Sequence, residues 1–365
     1  MRLGVDIGGL GPSQSGVARY LWEMLAGMLA AAPDLDVVLY SNSPVAVPLP
    51  GGRWRLRVDE GARHLPHFIW LQQRCPRLLA EDRVEAFWGQ NYLLPLKLKS
   101  PCRRLLTIHD AVAVLYAHTV PRRSRLASRM HFRRAVRAAD VLVADSRATA
   151  RLARLCLGAT EERTAVVYPG CSRGMRFFPD AQSIVAAKYG LKSPYLLTVG
   201  NIEPRKEHLT LLSALELLPQ APVLVIVGTP GWRCRRIMGE VARQQQTGRV
   251  RFLGRVADPD LACLYSAATV TVYPSFYEGF GLPVLEAMAC NCPVLCSWSS
   301  SLPEVGGAAA RYFRPRDVAS LAEGLAAMLD DEDMLEGMRG RGVRQAARFT
   351  YEKAAVDLLR LAIGD

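Results

Sequence analysis

The chain has 365 residues, enough for two domains of roughly 100–200 residues each, and half of them are apolar. That composition excludes a disordered chain, and no apolar run approaches the ~18 residues of a membrane-spanning helix. The net charge of +12 lies almost wholly in the first half: residues 1–175 carry 25 Lys and Arg against 14 Asp and Glu (+11), the remainder 21 against 20 (+1).

Apolar strand-like runs alternate with helical ones along the whole chain, the pattern of doubly wound α/β domains with mostly parallel sheets. In the first half strands are expected over 3–7, 37–40, 86–88, 104–108, 141–144 and 165–168. The first helix sets Val17, Leu21, Met24, Leu25, Met28 and Leu29 on one face at spacings of three and four. In the second half strands are expected over 195–199, 223–227, 250–252, 268–273, 294–296 and 310–313, with helices over 209–217 and 318–329. Residues 169–179 are Pro, Gly, Ser and Arg without periodicity, which sets a boundary. The expected organisation is a domain over 1–170, a second over 171–350, and a last helix within 351–365.

Ligands of open parallel sheets sit at the carboxyl ends of the strands. Gly200-Asn201-Ile-Glu-Pro-Arg205-Lys206 follows one strand, and its two cations suit a diphosphate. Glu278-Gly279-Phe280-Gly281-Leu282-Pro-Val-Leu-Glu286 follows another. It sets two carboxylates around a glycine-rich turn, and Pro283 suits the first turn of a helix placed over 285–289. Unpaired backbone N–H groups at such a turn bind phosphate, and Glu286, expected in the first helical turn, suits a sugar diol. Thr107-Ile-His109-Asp110 ends a strand of the first half, and Trp88-Gly-Gln-Asn91 ends another. His109 suits hydrogen bonding to a transferred sugar, with Asp110 orienting the ring or meeting the acceptor and Asn91 on the acceptor side. Gly9-x-Gly11 matches a dinucleotide fingerprint only in part, because no acidic residue follows the second strand at 40–42.

The segment from Glu278 to Glu286, with Ala-Met-Ala-Cys-Asn-Cys-Pro-Val after it, resembles the signature of the large retaining glycosyltransferase family 4. The resemblance implies the GT-B fold: two facing Rossmann-like domains and an interdomain cleft. It implies a nucleotide-diphosphate sugar as co-substrate and transfer with retained configuration, without a bound metal or other cofactor. Glu203-Pro-Arg-Lys206 is similar to a subset of the family with many mannosyltransferases, so mannose from GDP-mannose is the expected donor sugar, with UDP-sugars as the alternative. By the same resemblance His109, Glu278, Lys206 and Arg205 carry the chemistry. Gly16, Asn201, Val256, Gly279–Leu282 and Glu286 hold the donor, with Asp110 and Asn91 on the acceptor side. Many relatives carry Arg where this chain has Asn201, and Arg205 is the candidate replacement.

The acceptor expected is a glycan or lipid-linked acceptor of surface polysaccharide or glycolipid assembly. Arg122, Arg123, Arg125, Arg129, Arg133, Arg134 and Arg137 lie in a run without acids between Ala111 and Ala139, read either as a solvated face or as a surface for anionic membrane or a phosphorylated acceptor. No nucleic-acid module accompanies it. The nine cysteines lack paired CxxC spacing, and Cys290, Cys292 and Cys296 have no neighbouring His, so reduced thiols and no metal are expected. The first eight residues read as a strand and not as a signal segment, so a cytoplasmic protein is expected, peripheral on the membrane's inner face where the arginine run meets lipid. Two other readings stay open: a GT-B sugar-nucleotide epimerase, and a non-catalytic GT-B scaffold binding anionic lipid.

Overall fold

A computed structural model describes residues 1–8, 16–45, 53–90, 92–110 and 131–364. Asn91, Gly9, Gly11 and the arginines at 122, 123, 125 and 129 lie outside the described residues. The chain forms two compact units, Met1–Gly170 with Thr350–Asp365, and Cys171–Phe349.

The first unit holds β1 (Arg2–Asp6), β2 (Asp36–Ser41), β3 (Trp54–Val58), β4 (Ala86–Gln90), β5 (Arg103–Ile108), β6 (Val141–Ala144) and β7 (Thr164–Val166). They form one all-parallel sheet in the order β3-β2-β1-β4-β5-β6-β7. Helices α1 (Gly16–Ala31), α2 (His67–Gln73), α3 (Cys75–Glu81) and α4 (Arg147–Leu157) cover it together with helical residues 131–138 and the last helix, Tyr351–Ile363. One face packs Tyr20, Leu21, Met24, Leu25 and Met28 of α1 against Tyr351, Ala354, Ala355 and Leu358. A Cβ on Gly27 would lie 2.6 Å from the Tyr351 carbonyl oxygen, so glycine sets how closely these helices cross. Trp70, Leu79, Phe87, Leu106 and Ala135 fill the other face.

The second unit holds β8 (Tyr195–Val199), β9 (Val223–Val227), β10 (Val250–Gly254), β11 (Val270–Tyr273), β12 (Val294–Ser297) and β13 (Arg311–Phe313). Their order is β10-β9-β8-β11-β12-β13, again all parallel. The helices are α5 (Ala181–Tyr189), α6 (His208–Glu216), α7 (Arg235–Gln246), α8 (Asp258–Ala267), α9 (Leu282–Ala289), α10 (Leu302–Gly306), α11 (Val318–Leu329) and α12 (Glu332–Ala346). Each sheet reverses its strand order once, between β1 and β4 and between β8 and β11, which opens a crevice at the carboxyl ends of those strands.

Strands β6, β8, β9 and helix α11 coincide with the spans read from periodicity. Strand β3 was not among them. Its outward positions are Arg55 and Arg57, whose charges pair with Asp36, Glu81 and Asp82, so an edge strand with cationic alternate positions resembles a loop. Helix α9 starts at Leu282, earlier than expected, because Gly281 takes φ +111° as its cap. Glu286 therefore sits in the second turn, which corrects its expected place in the first.

Candidate active site

At the reversal between β8 and β11, two loops bring opposite charges together. The loop after β8 ends in a tight 3-10 turn over Pro204–Lys206, and the loop after β11 carries Glu278. Lys206 Nζ donates to Glu278 Oε1 at 2.7 Å, and Tyr273 Oη donates to the same oxygen at 2.9 Å. Arg205 places one guanidinium nitrogen 2.7 Å from Glu278 Oε2 and donates from it to the Tyr277 carbonyl. Its other terminal nitrogen donates to Glu203 at 2.6 Å. Backbone bonds stitch the loops together, because the Phe276 N–H and Ser275 hydroxyl both donate to the Arg205 carbonyl.

The side chains of Arg205, Lys206 and Glu278 are only 13 %, 11 % and 10 % exposed. Burial by itself would raise the Glu278 carboxyl, but Lys206 and Arg205 override it and hold it near 2. Burial pushes the Lys206 ammonium below its ordinary value, and the Arg205 charge adds to that while Glu278 opposes it. The expectation gave the cations to a diphosphate and counted Glu278 among the residues that carry the chemistry. In the structure these groups neutralise one another, because a buried charge is tolerated only when paired. Arg205 is held by two carboxylates, and Asn201, the position it was to replace, is exposed and accepts a bond from Thr229 at 3.0 Å.

Glu286 is 4 % exposed and accepts a hydrogen bond from Tyr265 Oη at 3.3 Å. Burial and then Glu286 push the Tyr265 phenol well above its ordinary range. Burial acts first on Tyr273 as well, and both Glu278 and Glu286 raise it further, which puts the two carboxylates in one electrostatic neighbourhood. Gly281 and Leu282 open α9, where the first N–H groups have no intrahelical acceptor. Val256, half-exposed, lies two residues beyond β10 at the sheet edge.

Serines that single-residue patterns had not marked hold the Glu278 segment. The Ser300 hydroxyl accepts from the Glu278 N–H at 2.8 Å and donates to the Glu278 carbonyl at 2.5 Å. Ser301 donates to the Phe280 carbonyl at 2.6 Å, and Ser299 donates to that of Phe276. Ser300 sits at φ +50°, a left-handed position costly for a side-chain residue. Ser300→Ala keeps that strain and removes both Ser300 bonds to Glu278, so we expect about 1–3 kcal/mol of destabilisation in thermal unfolding, with a lower kcat. Wild-type stability and kcat in this variant would show that the clasp holds nothing.

In the first unit His109 follows β5, Asp145 follows β6, and Gln90 ends β4. His109 Nδ1 lies 2.8 Å from Asp145 Oδ2, and Nε2 lies 3.1 Å from Gln90 Oε1. The Tyr20 ring stands edge-on to the imidazole, with centroids 4.7 Å apart. Burial lowers the imidazole, but Asp145 more than offsets that and leaves it above its ordinary 6.5. Asp145, not Asp110, therefore orients the ring, because the neighbouring parallel strand ends beside His109. The Asp110 carbonyl accepts from the Tyr92 hydroxyl. Among the described residues Gln90 Nε2 and Asp145 Oδ1 are buried without a hydrogen-bond partner. Gly16 begins α1, is exposed, and a Cβ there would meet nothing within 4 Å. No group of three or more His, Cys, Asp or Glu among the described residues is arranged to hold a metal ion.

This arrangement has parallels in known proteins. The family model for glycosyl transferases group 1 matches residues 184–345, and that for glycosyltransferase family 4 matches residues 14–173. An O-antigen chain mannosyltransferase B of Escherichia coli is 34 % identical over 367 residues, covering 94 % of this chain and 95 % of that protein. The serotype-specific mannosyltransferase WbdA of Escherichia coli is 34 % identical over 175 residues, 46 % of this chain and 21 % of that longer protein. Among solved structures, sucrose-phosphate synthase from Thermosynechococcus elongatus superposes with a TM-score of 0.80 at 23 % identity, covering 99 % of this chain and 98 % of that one. Anabaena HepE in complex with UDP-glucose superposes at 0.76 and 16 % identity, with both chains fully covered. Two Rossmann-like sheets of this order are the GT-B fold. With a relative of that identity matched nearly end to end, the chain belongs to the family 4, group 1 glycosyltransferases.

Proposed function

We propose that the enzyme transfers mannose from GDP-mannose to a glycan or lipid-linked glycan acceptor, with retained anomeric configuration, in the assembly of a surface polysaccharide. The observation that carries this reading is the Arg205–Lys206–Glu278 cluster at the strand-order reversal of the second unit. An incoming diphosphate competes with Glu278 for Lys206 and Arg205. The acceptor hydroxyl attacks the anomeric carbon from the face on which the diphosphate departs, and a phosphate oxygen takes its proton. Lys206 stabilises the charge growing on the leaving group, which lowers the barrier and does not merely tighten binding. Glu278 then exchanges its ion pairs for sugar hydroxyls, and the α9 N–H groups meet phosphate. The unpartnered Gln90 amide and Asp145 oxygen beside His109 support a hydroxyl-rich ligand there.

Mannose rests on the two E. coli relatives, and HepE with UDP-glucose keeps UDP-sugars as the second reading. No helix among the described residues is long and apolar enough to cross a membrane. The basic first half, with Arg133, Arg134 and Arg137 on helical residues 131–138, supports a peripheral seat on anionic lipid at the cytoplasmic face.

A thermal-shift panel of GDP, UDP, ADP and TDP with their sugars tests the donor. GDP at about 100 times its dissociation constant is expected to stabilise by about 2.7 kcal/mol, and Glu286→Ala is expected to lose most of that shift. A larger shift with UDP overturns the base, and an unchanged GDP shift in the variant removes Glu286 from the ribose.

A further inference from the structure

Trp298 follows β12 at the carboxyl end of the sheet and is 62 % exposed, more than Phe68 or Phe177. A large indole in water adds nothing to the core, yet here it is held firmly. Its backbone N–H donates to the Phe313 carbonyl at 2.9 Å, and its ring meets Tyr312 edge-on, centroids 4.7 Å apart at 83°. The Tyr312 hydroxyl is fixed in turn by the Gly307 carbonyl at 2.8 Å. The next three residues are the serines that clasp the segment from Phe276 to Phe280, so the indole is tied through short bonds to the chain carrying Glu278.

At Phe276, where Ser299 clasps the chain, the Arg316 guanidinium lies 3.8 Å above the ring and its Nε donates to Glu207 at 2.9 Å. One exposed aromatic ring is far short of the roughly 800 Å² per partner of a stable protein interface. It suits a ligand with a flat C–H face such as a sugar ring, because the electron-rich indole attracts polarised C–H groups.

We propose that Trp298 is a saccharide platform on which a sugar ring of the acceptor glycan stacks, away from its reacting end. This rests on the reading that the acceptor is a glycan and names where that glycan is gripped. The serine clasp then holds the stacked ring in fixed register with the Glu278 segment.

The test uses the full chain, Trp298→Ala and Trp298→Phe, with α-linked mannose oligosaccharides of one to six residues as acceptors. In Trp298→Ala the ratio of kcat/KM for the hexasaccharide to that for the monosaccharide is expected to fall about tenfold, while Trp298→Phe keeps most of it. Without donor, the hexasaccharide is expected to shift the indole fluorescence of the wild type, and the part lost in Trp298→Phe reports the platform. An equal loss of rate at every acceptor length assigns Trp298 a structural role and overturns the proposal. So does a fluorescence shift produced by anionic vesicles of phosphatidylglycerol and not by the saccharide. The saccharide titration needs no donor, so a wrong donor assignment shows only in the nucleotide panel and leaves this result readable.

Discussion

Glu278→Ala is expected to destabilise the second unit by about 3–5 kcal/mol, as when one partner is removed from a buried ion pair. The wild-type cluster balances Arg205 and Lys206 against Glu203 and Glu278. Without Glu278, Glu203 still pairs with Arg205, but among the described residues Lys206 keeps only the hydroxyl and ring of Tyr273. At roughly 2–4 °C per kcal/mol for a unit of this size, the thermal midpoint falls by about 10 °C. The pH dependence has a definite sign. Glu278 is held near 2, below its ordinary 4.5, so its contribution is full above about 4.5 and is lost as pH falls toward 2. The gap between wild type and variant should therefore close over that window. Transfer should fall as well, and inorganic pyrophosphate should stabilise the variant more than the wild type, because the anion replaces the missing carboxylate. A midpoint within about 2 °C of wild type at pH 7 would show that the cluster does not hold the unit together.

Lys206→Met is expected to lower kcat by about 100- to 1,000-fold, the usual loss when one preorganised donor to a developing charge is removed. Folding should survive, because Glu278 keeps Arg205 and the Tyr273 hydroxyl. Two further measurements separate a charge on the leaving group from a merely structural cation. Affinity for GDP should drop in the variant, whereas a lysine that served only packing would leave it alone. In the wild type the alkaline limb of kcat/KM, which reports the free enzyme, should lie below 10.5, because burial and Arg205 lower the ammonium. That limb should vanish in Lys206→Met. A variant with kcat within tenfold of wild type would remove Lys206 from the chemistry.

How much of this was legible beforehand depends on the range of the interaction involved. Buried strands of parallel sheets are near-continuous apolar runs, and so β8 and β9 could be read to the residue. Strand β3 could not, because its arginines draw their partners from β2 and α3, which no local window contains. The glycine-rich turn before α9 was visible because backbone geometry demands glycine, as Gly281 at φ +111° shows. The serine clasp was not, since Ser300 sits at φ +50° without any residue type advertising it. A strand-end rule applied to β6 would have found Asp145, which lies directly after it as His109 lies after β5.

By itself the sequence determined two α/β halves, the strand ends where chemistry gathers, and the family to which the Glu278–Glu286 segment belongs. These follow from local backbone preference and from the apolar period of strands and helices. Only the tertiary structure decided that Lys206 and Glu278, 72 residues apart, share one oxygen–nitrogen contact, and that Asp145 and not Asp110 holds His109. Pairings of that kind depend on β8 lying beside β11 and on β5 lying beside β6. Strand order is set by how helices pack on both faces of a sheet, a global property that no stretch of the chain encodes alone.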